Sequence, residues 1–237
     1  MADELSELVE RLSEAHKDNL ISVVLYGSAA VGVRLDDDAQ KKVLIVVKHI
    51  RPSDLKVAHE VAEWWRLEGN PPPVYFTSQE VEDSSDVFPI EFIDMSQVRQ
   101  VIYGKDPFER FEIPTHNLRH QLEYELRGKL IRLRTLYIPA AQNPNRLSQL
   151  MANSLDSFAV LFRHVLVMLG EDAPFEKRDC VMRLAEALKL DKQVFARIFD
   201  YDDDNDLWLE AETNDTFGGY LLQIERVIEA VDKNGDR

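Results

Sequence analysis

With Cys180 as its only cysteine, the chain can form no intrachain disulfide and no cysteine-rich zinc site. It also lacks long apolar runs. None reaches the ~20 residues a membrane-spanning helix requires, so a membrane is not an expected partner. Basic residues are in the minority: 28 Lys and Arg face 43 Asp and Glu, a formal net charge of −15. A protein that grips nucleic acid concentrates cations to displace counterions. No dense basic run is present and the global field repels polyanions, so nucleic acid is not an expected partner either. There is no internal repeat, and no low-complexity tract longer than DYDDDND at 200–206. The first residues, MADELSELVERLSEAHKD, are acidic and amphipathic. They have neither the basic start nor the apolar middle of a signal peptide. The expectation is a soluble, cytoplasmic protein.

What is present suffices for a sizeable core: 237 residues, 45% hydrophobic and 30% charged, point to one or two domains. Leu5, Leu8, Val9 and Leu12 recur at helical spacing. Residues 21–26 and 43–48 are β-branched apolar runs and predict strands. Ser53 can cap a helix running to Leu67, closed by Gly69, with Asn70-Pro71-Pro72-Pro73 as a breaker. Further strands are expected at 74–77 and 88–94, then a helix from Ser96 to about Gly104. The pattern changes at Thr115, which can cap a long helix over 115–138. Leu118, Leu122, Leu126, Leu130, Leu133 and Tyr137 form its apolar stripe. A second long helix is expected from Asn145 to Leu169, shorter ones near 175–189 and 191–199, and a last one over YLLQIERVIEAVDK. The fold class this predicts is α+β: a mixed sheet with flanking helices over 1–107, then an all-helical bundle over 108–237.

Gly27-Ser28 follows the first strand. Glycine without a Cβ lets backbone N–H groups approach a phosphate, and serine adds a hydroxyl donor. LYGSAAVG, then a loop, then VLIVV, is similar to the nucleotidyltransferase superfamily typified by kanamycin nucleotidyltransferase. PIEFIDM, YGKDPF, LRHQLEYELRGKLIRLRTLYI and YLLQIERVIEAVD resemble a bacterial branch of it with a helical second domain. The resemblance covers nearly the whole chain. It implies a Gly-Ser turn for phosphate at Gly27 and Ser28, an Asp-x-Asp opening the next strand, and a third carboxylate from a later strand. It also implies magnesium and a nucleoside triphosphate in an active member.

The chemistry explains that set. Nucleotidyl transfer needs divalent metal to hold the triphosphate and neutralise developing charge. Magnesium takes oxygen ligands, and an Asp-x-Asp on a strand points both carboxylates to one face. In this chain one register puts the pair on Lys41 and Val43, the other on Lys42 and Leu44. Neither supplies a carboxylate, and an ammonium has no lone pair for a metal. The third carboxylate maps onto Glu91, with Asp94 as its alternative; it would bind metal or act as base. Asp36 and Asp38, in the loop before the second strand, could supply a metal site with Glu91. The simpler expectation is a solvated loop, because loop carboxylates seldom hold strand-like geometry.

Other constellations have plain explanations. His116, His120, Tyr124, Arg127 and Arg134 form a second stripe on the long helix, an anion site if it faces a cleft and otherwise a solvated face. Tyr124 and Ile131 suggest part of it is covered. Lys41, Lys42, His120 and Arg127 are the candidate cleft residues. Arg110 and His116 match the spacing of the helical HEPN ribonucleases, a match expected by chance. Asp200, Asp202, Asp204 and Asp206 alternate like a calcium loop, but Asn205 and Ala211 stand where an EF-hand needs Gly and Glu. Of Trp64 and Trp65, one should pack on the sheet and the other at a contact. Three functions follow in order. The first is a catalytically degenerate nucleotidyltransferase-like protein, a pseudoenzyme that keeps a nucleotide ligand. The second is an active enzyme using Asp36, Asp38 and Glu91. The third is a structural or interaction protein with an empty cleft. A homodimer is the other expected partnership.

Overall fold

LISVVLY and KVLIVV form the two central strands, β1 (Leu20–Tyr26) and β2 (Lys42–Val47). The computed structural model describes residues 2–31, 40–109, 115–201 and 210–234. The chain divides into two compact units, Met1–Pro114 and Thr115–Arg237. In the first, β3 (Val74–Thr77) and β4 (Arg99–Gly104) complete a four-stranded sheet in the order β3-β2-β1-β4. β1 runs antiparallel to both β2 and β4, and β2 runs parallel to β3. The sheet is thus mixed, and the helices of the second unit make the chain α+β.

Helices cover both faces, which is why the central strands are continuously apolar rather than alternating. They are α1 (Ala2–His16), α3 (His59–Leu67), α4 (Ser78–Asp83) and α5 (Pro89–Gln97); the short α2 (Pro52–Lys56), which buries no residue, precedes α3. On one face Val23, Leu25, Val43, Ile45 and Val47 pack with Leu8 and Leu12 of α1 and Val61 and Trp65 of α3. On the other, Val24, Tyr26, Leu44 and Val46 pack with Val81 of α4, Phe92 and Met95 of α5, and Phe108. Trp65 is the tryptophan buried on the sheet. Trp64 is half-buried, with the Arg11 guanidinium 4.6 Å from its ring centre.

Three local expectations change. Residues 88–94 are not a strand but most of α5. Pro89 sits in its first turn, where its missing N–H would be unsatisfied anyway and its fixed φ already suits a helix. The apolar residues of FPIEFIDM fit period two, yet Phe92 and Met95, and Ile90 and Ile93, also stand three apart. Conversely, the segment expected as a helix to Gly104 contains β4, whose Val101, Ile102 and Tyr103 favour a pleated surface. The single helix from Ser53 to Leu67 is divided into α2 and α3 by a turn at Val57 and Ala58.

His16, at the end of α1, is buried, with Nε2 3.1 Å from the Tyr75 hydroxyl and no partner for Nδ1 among the described residues. Burial lowers its pKa below 6.5, opposed by the charge of Asp54. The folded state therefore binds the proton less readily than the unfolded chain. The resulting stability is present above pH about 6.5 and is lost as pH falls below it. The urea midpoint of the wild type should drop between pH 7.5 and pH 5. The drop should be smaller in His16→Gln; equal drops would exclude His16 as its source.

The second unit opens with α6 (Thr115–Ala140), one continuous helix as expected. Leu118, Leu122, Leu126, Leu130 and Leu133 are buried, and Tyr137 stacks on Phe217 with ring centres 4.3 Å apart. It is followed by α7 (Pro144–Leu169), α8 (Lys177–Ala187), α9 (Lys192–Phe199) and α10 (Glu210–Lys233). Asn143 caps α7 by accepting from the Arg146 N–H, and Gly170 ends it at φ +73°. Phe158, Phe162, Phe195 and Tyr220 meet edge-on or tilted in the core. By length and composition α7 could cross a membrane, but 56% of its apolar window is buried. Its partners are α6, α8, α9 and α10, so its length serves the core of the bundle. Cys180 is buried there, and burial pushes its thiol up to about 12.

Candidate functional site

The start of β2 separates two adjacent lysines, because strand side chains alternate between faces. Lys41 goes with the α1 side: its Nζ lies 2.7 Å from Glu4 Oε2, and its N–H donates to Asn70 Oδ1 at 3.0 Å. Asn70 in turn donates to Glu4 Oε1 at 3.0 Å. Val43, two residues on, is buried in the same α1–α3 cluster. Lys42 lies on the opposite face with Leu44 and lines a cavity of about 370 Å³. The register that faces this cavity is therefore Lys42 and Leu44. Lys42 has no ion-pair partner among the described residues, whereas Lys41 has one.

The cavity wall is mostly apolar, built by Val74 and Phe76 of β3, Phe88 before α5, and Met95. Its polar members are Tyr26, Lys42, Glu91 and Asp94. Glu91 and Asp94 stand three apart on α5, so they share a helix face while Phe92 and Met95 bury the rest in the sheet. Phe92 meets Phe76 edge-on at 5.5 Å, which ties α5 to β3. Burial and the Asp94 charge push the Tyr26 hydroxyl up to about 12, so it serves as a neutral donor or acceptor. Among the described lining residues, one cation faces two carboxylates. No cluster of three His, Cys, Asp or Glu with metal-ligand geometry occurs among the described residues.

The Gly27-Ser28 turn is formed but has its own commitments. Gly27 adopts φ +78°, a left-handed conformation that suits glycine. Its N–H donates to Val98 O at 3.0 Å, and its carbonyl accepts from Ala30 N–H at 3.0 Å. Ser28 begins a 3-10 turn over Ser28–Val31. Neither residue lines the cavity, although Tyr26 next to them does. Glu91 thus lines the cavity with Lys42 and Asp94, and it comes from a helix instead of a strand.

The remaining candidates are scattered. Asp36 and Asp38 lie outside the described residues, as do Arg110, the side chain of His116, and Asp202, Asp204 and Asp206. Asp200 pairs with Arg178 at 2.7 Å. His120 and Arg127 belong to the second unit. A ring nitrogen of His120 lies 3.1 Å from the Arg119 guanidinium, and Arg127 is 2.8 Å from Glu123. Arg134 pairs with Glu225 at 2.6 Å. That stripe is a solvated face with paired charges, and Tyr124 and Ile131 are exposed on it rather than covered. Sequence reasoning missed Tyr26, Phe76, Phe88 and Met95. Tyr26 could have been found, since it precedes the Gly-Ser turn and alternates with buried Leu25.

Comparison with solved structures identifies the fold. A crystal structure of spectinomycin adenyltransferase AAD(9) from Enterococcus faecialis with ATP and spectinomycin matches over 94% of this chain and 98% of that one. The TM-score is 0.55 and the identity 17%. No family model and no curated protein matches the sequence. The chain therefore has a nucleotidyltransferase fold, with a mixed four-stranded sheet and a helical second unit.

Proposed function

We propose that the chain is a nucleotidyltransferase-like protein that binds a nucleotide without metal-dependent nucleotidyl transfer. One observation carries this: at the start of β2, the position facing the cavity is Lys42, where the fold's chemistry needs a metal-ligating carboxylate. The ammonium cannot ligate magnesium and repels it from Glu91 and Asp94. The aromatic wall suits a base, the two carboxylates can accept from amino or ribose hydroxyl groups, and Lys42 can meet one phosphate. The solved neighbour holds ATP, which supports a nucleotide as the ligand class.

The charge balance sets the expected ligand preference. With one cation against two carboxylates, each added phosphate increases repulsion when no metal is present. Calorimetric titration with the four nucleoside monophosphates and triphosphates, in EDTA and in magnesium, tests this. At least one monophosphate should bind equally well in both buffers and more tightly than its triphosphate, with no transfer to any acceptor. Magnesium-dependent triphosphate binding with turnover would overturn the reading and assign the metal to Asp36, Asp38 and Glu91. No heat with any nucleotide would leave an interaction protein with an empty cleft. The active alternative keeps one supporting observation, that Glu91 lines the cavity.

A further inference from the structure

A second cavity, of about 250 Å³, lies wholly within the helical unit, between α6 and α7. Helical periodicity builds it. Lys129, Arg132, Leu133 and Leu136 stand at i, i+3, i+4 and i+7 on α6, and Leu150, Asn153, Ser154 and Ser157 repeat that spacing on α7. Buried Leu133 and Phe158 form the floor, and Leu136, 42% exposed, forms an open wall. Asn153 and Ser157, both exposed, offer an amide and a hydroxyl from the α7 rim. Ser154 is already engaged, 2.9 Å from Met151 O and 3.0 Å from the Tyr220 hydroxyl, which pins α7 to α10 beneath the groove.

The α6 rim differs from the rest of that helix. Arg119, Arg127 and Arg134 each have a carboxylate partner. Lys129 and Arg132 have none among the described residues, in a chain with 43 acidic side chains. Two unpaired cations over an apolar floor, facing hydrogen-bonding groups, are the elements of an anion site with an apolar compartment. A guanidinium matches carboxylate and phosphate bidentately. The volume falls below the ~300–1,000 Å³ of drug-sized ligand sites, so the occupant is small.

We propose that the α6–α7 groove binds a small organic anion, a carboxylate or phosphate monoester carried on an apolar body. Lys129 and Arg132 hold the anionic head, and Leu133, Leu136 and Phe158 receive the body. This site is separate from the sheet cavity and does not depend on the nucleotide reading.

Calorimetric titration of the full chain with octanoate, phenyl phosphate and 1-octanol tests it. At least one of the two anions should bind at one site per chain, with octanol at least tenfold weaker. Binding of octanoate alone assigns a carboxylate, and of phenyl phosphate alone a phosphate monoester. Lys129→Ala and Arg132→Ala should each weaken the anion at least fivefold, and together abolish saturable binding. If either change lowers the thermal midpoint, Asn153→Glu supplies the same readout by setting a like charge on the opposite rim. The proposal is overturned if neither anion binds, if octanol binds as well as the anions, or if neither the double variant nor Asn153→Glu weakens binding.

Discussion

Gly104→Ala should unfold or nearly unfold the first unit, with a loss above about 4 kcal/mol, in the range reserved for a specific structural conflict. Gly104 ends β4 opposite Ser22 of β1, at φ +76°. A Cβ there would lie 2.0 Å from Ile21 O and 3.0 Å from Ile21 C, both backbone atoms that no rotamer change can move. The left-handed conformation adds roughly 1–2 kcal/mol for any residue with a Cβ. Relief would require β4 to part from β1 where the Ser22 hydroxyl donates to Tyr103 O at 3.1 Å. Gly27→Ala is the control: φ is also positive, but nothing among the described residues lies within 4 Å of the added Cβ, so only the conformational term applies. Urea unfolding of the two variants should give losses differing by at least a factor of two. Equal losses would mean that β4 does not approach β1 as closely as described.

Lys42→Asp should convert the sheet cavity from a metal-repelling to a metal-binding site. The change removes the one cation among the described lining residues and puts a carboxylate beside Glu91 and Asp94, giving three oxygen-bearing groups of the kind magnesium and manganese select. If the cavity takes a nucleotide as proposed, metal-free binding should fall at least tenfold, because the proposed phosphate contact is replaced by repulsion, and should recover when divalent cation is added. Manganese binding, followed by electron paramagnetic resonance, should appear in this variant and be absent from the wild type. Lys41→Asp should not create it, because Lys41 pairs with Glu4 on the other side of the sheet. If both variants bind manganese, or neither does, the assignment of Lys42 to the cavity is wrong. A second aspartate at Leu44 would complete an Asp-x-Asp pair only by burying a charge in the core, since Leu44 is fully buried.

Much of the architecture is local in origin and therefore legible in the sequence. The runs LISVVLY and VLIVV are β-branched and too short for a buried helix, so β1 and β2 follow from composition. Five leucines at spacings of three and four fix α6 as one helix, because no other regular structure places them on one side. Asn143 before Pro144, and Gly170 after Leu169, bound α7 by the hydrogen-bonding needs of its ends. The absence of a carboxylate pair at the start of β2 is also a property of the sequence, in either register.

Tertiary contacts decided the rest. FPIEFIDM satisfies both a two-residue and a three-to-four-residue apolar period, and its own sequence cannot choose between them. Packing chose helix: Phe92 and Met95 reach the sheet face of Val24, Leu44 and Val46, while Glu91 and Asp94 turn to the cavity. The β-branched segment after it then supplies the fourth strand by pairing with β1, an option invisible until that edge exists. Lys41 and Lys42 are chemically identical neighbours. Only pleating against α1 on one face and α5 on the other gives one of them an ion pair with Glu4 and leaves the other facing the cavity. The basic groove of the second unit depends likewise on two helices meeting, because four of its members come from α6 and five from α7, and the pattern of either helix alone cannot bring them together.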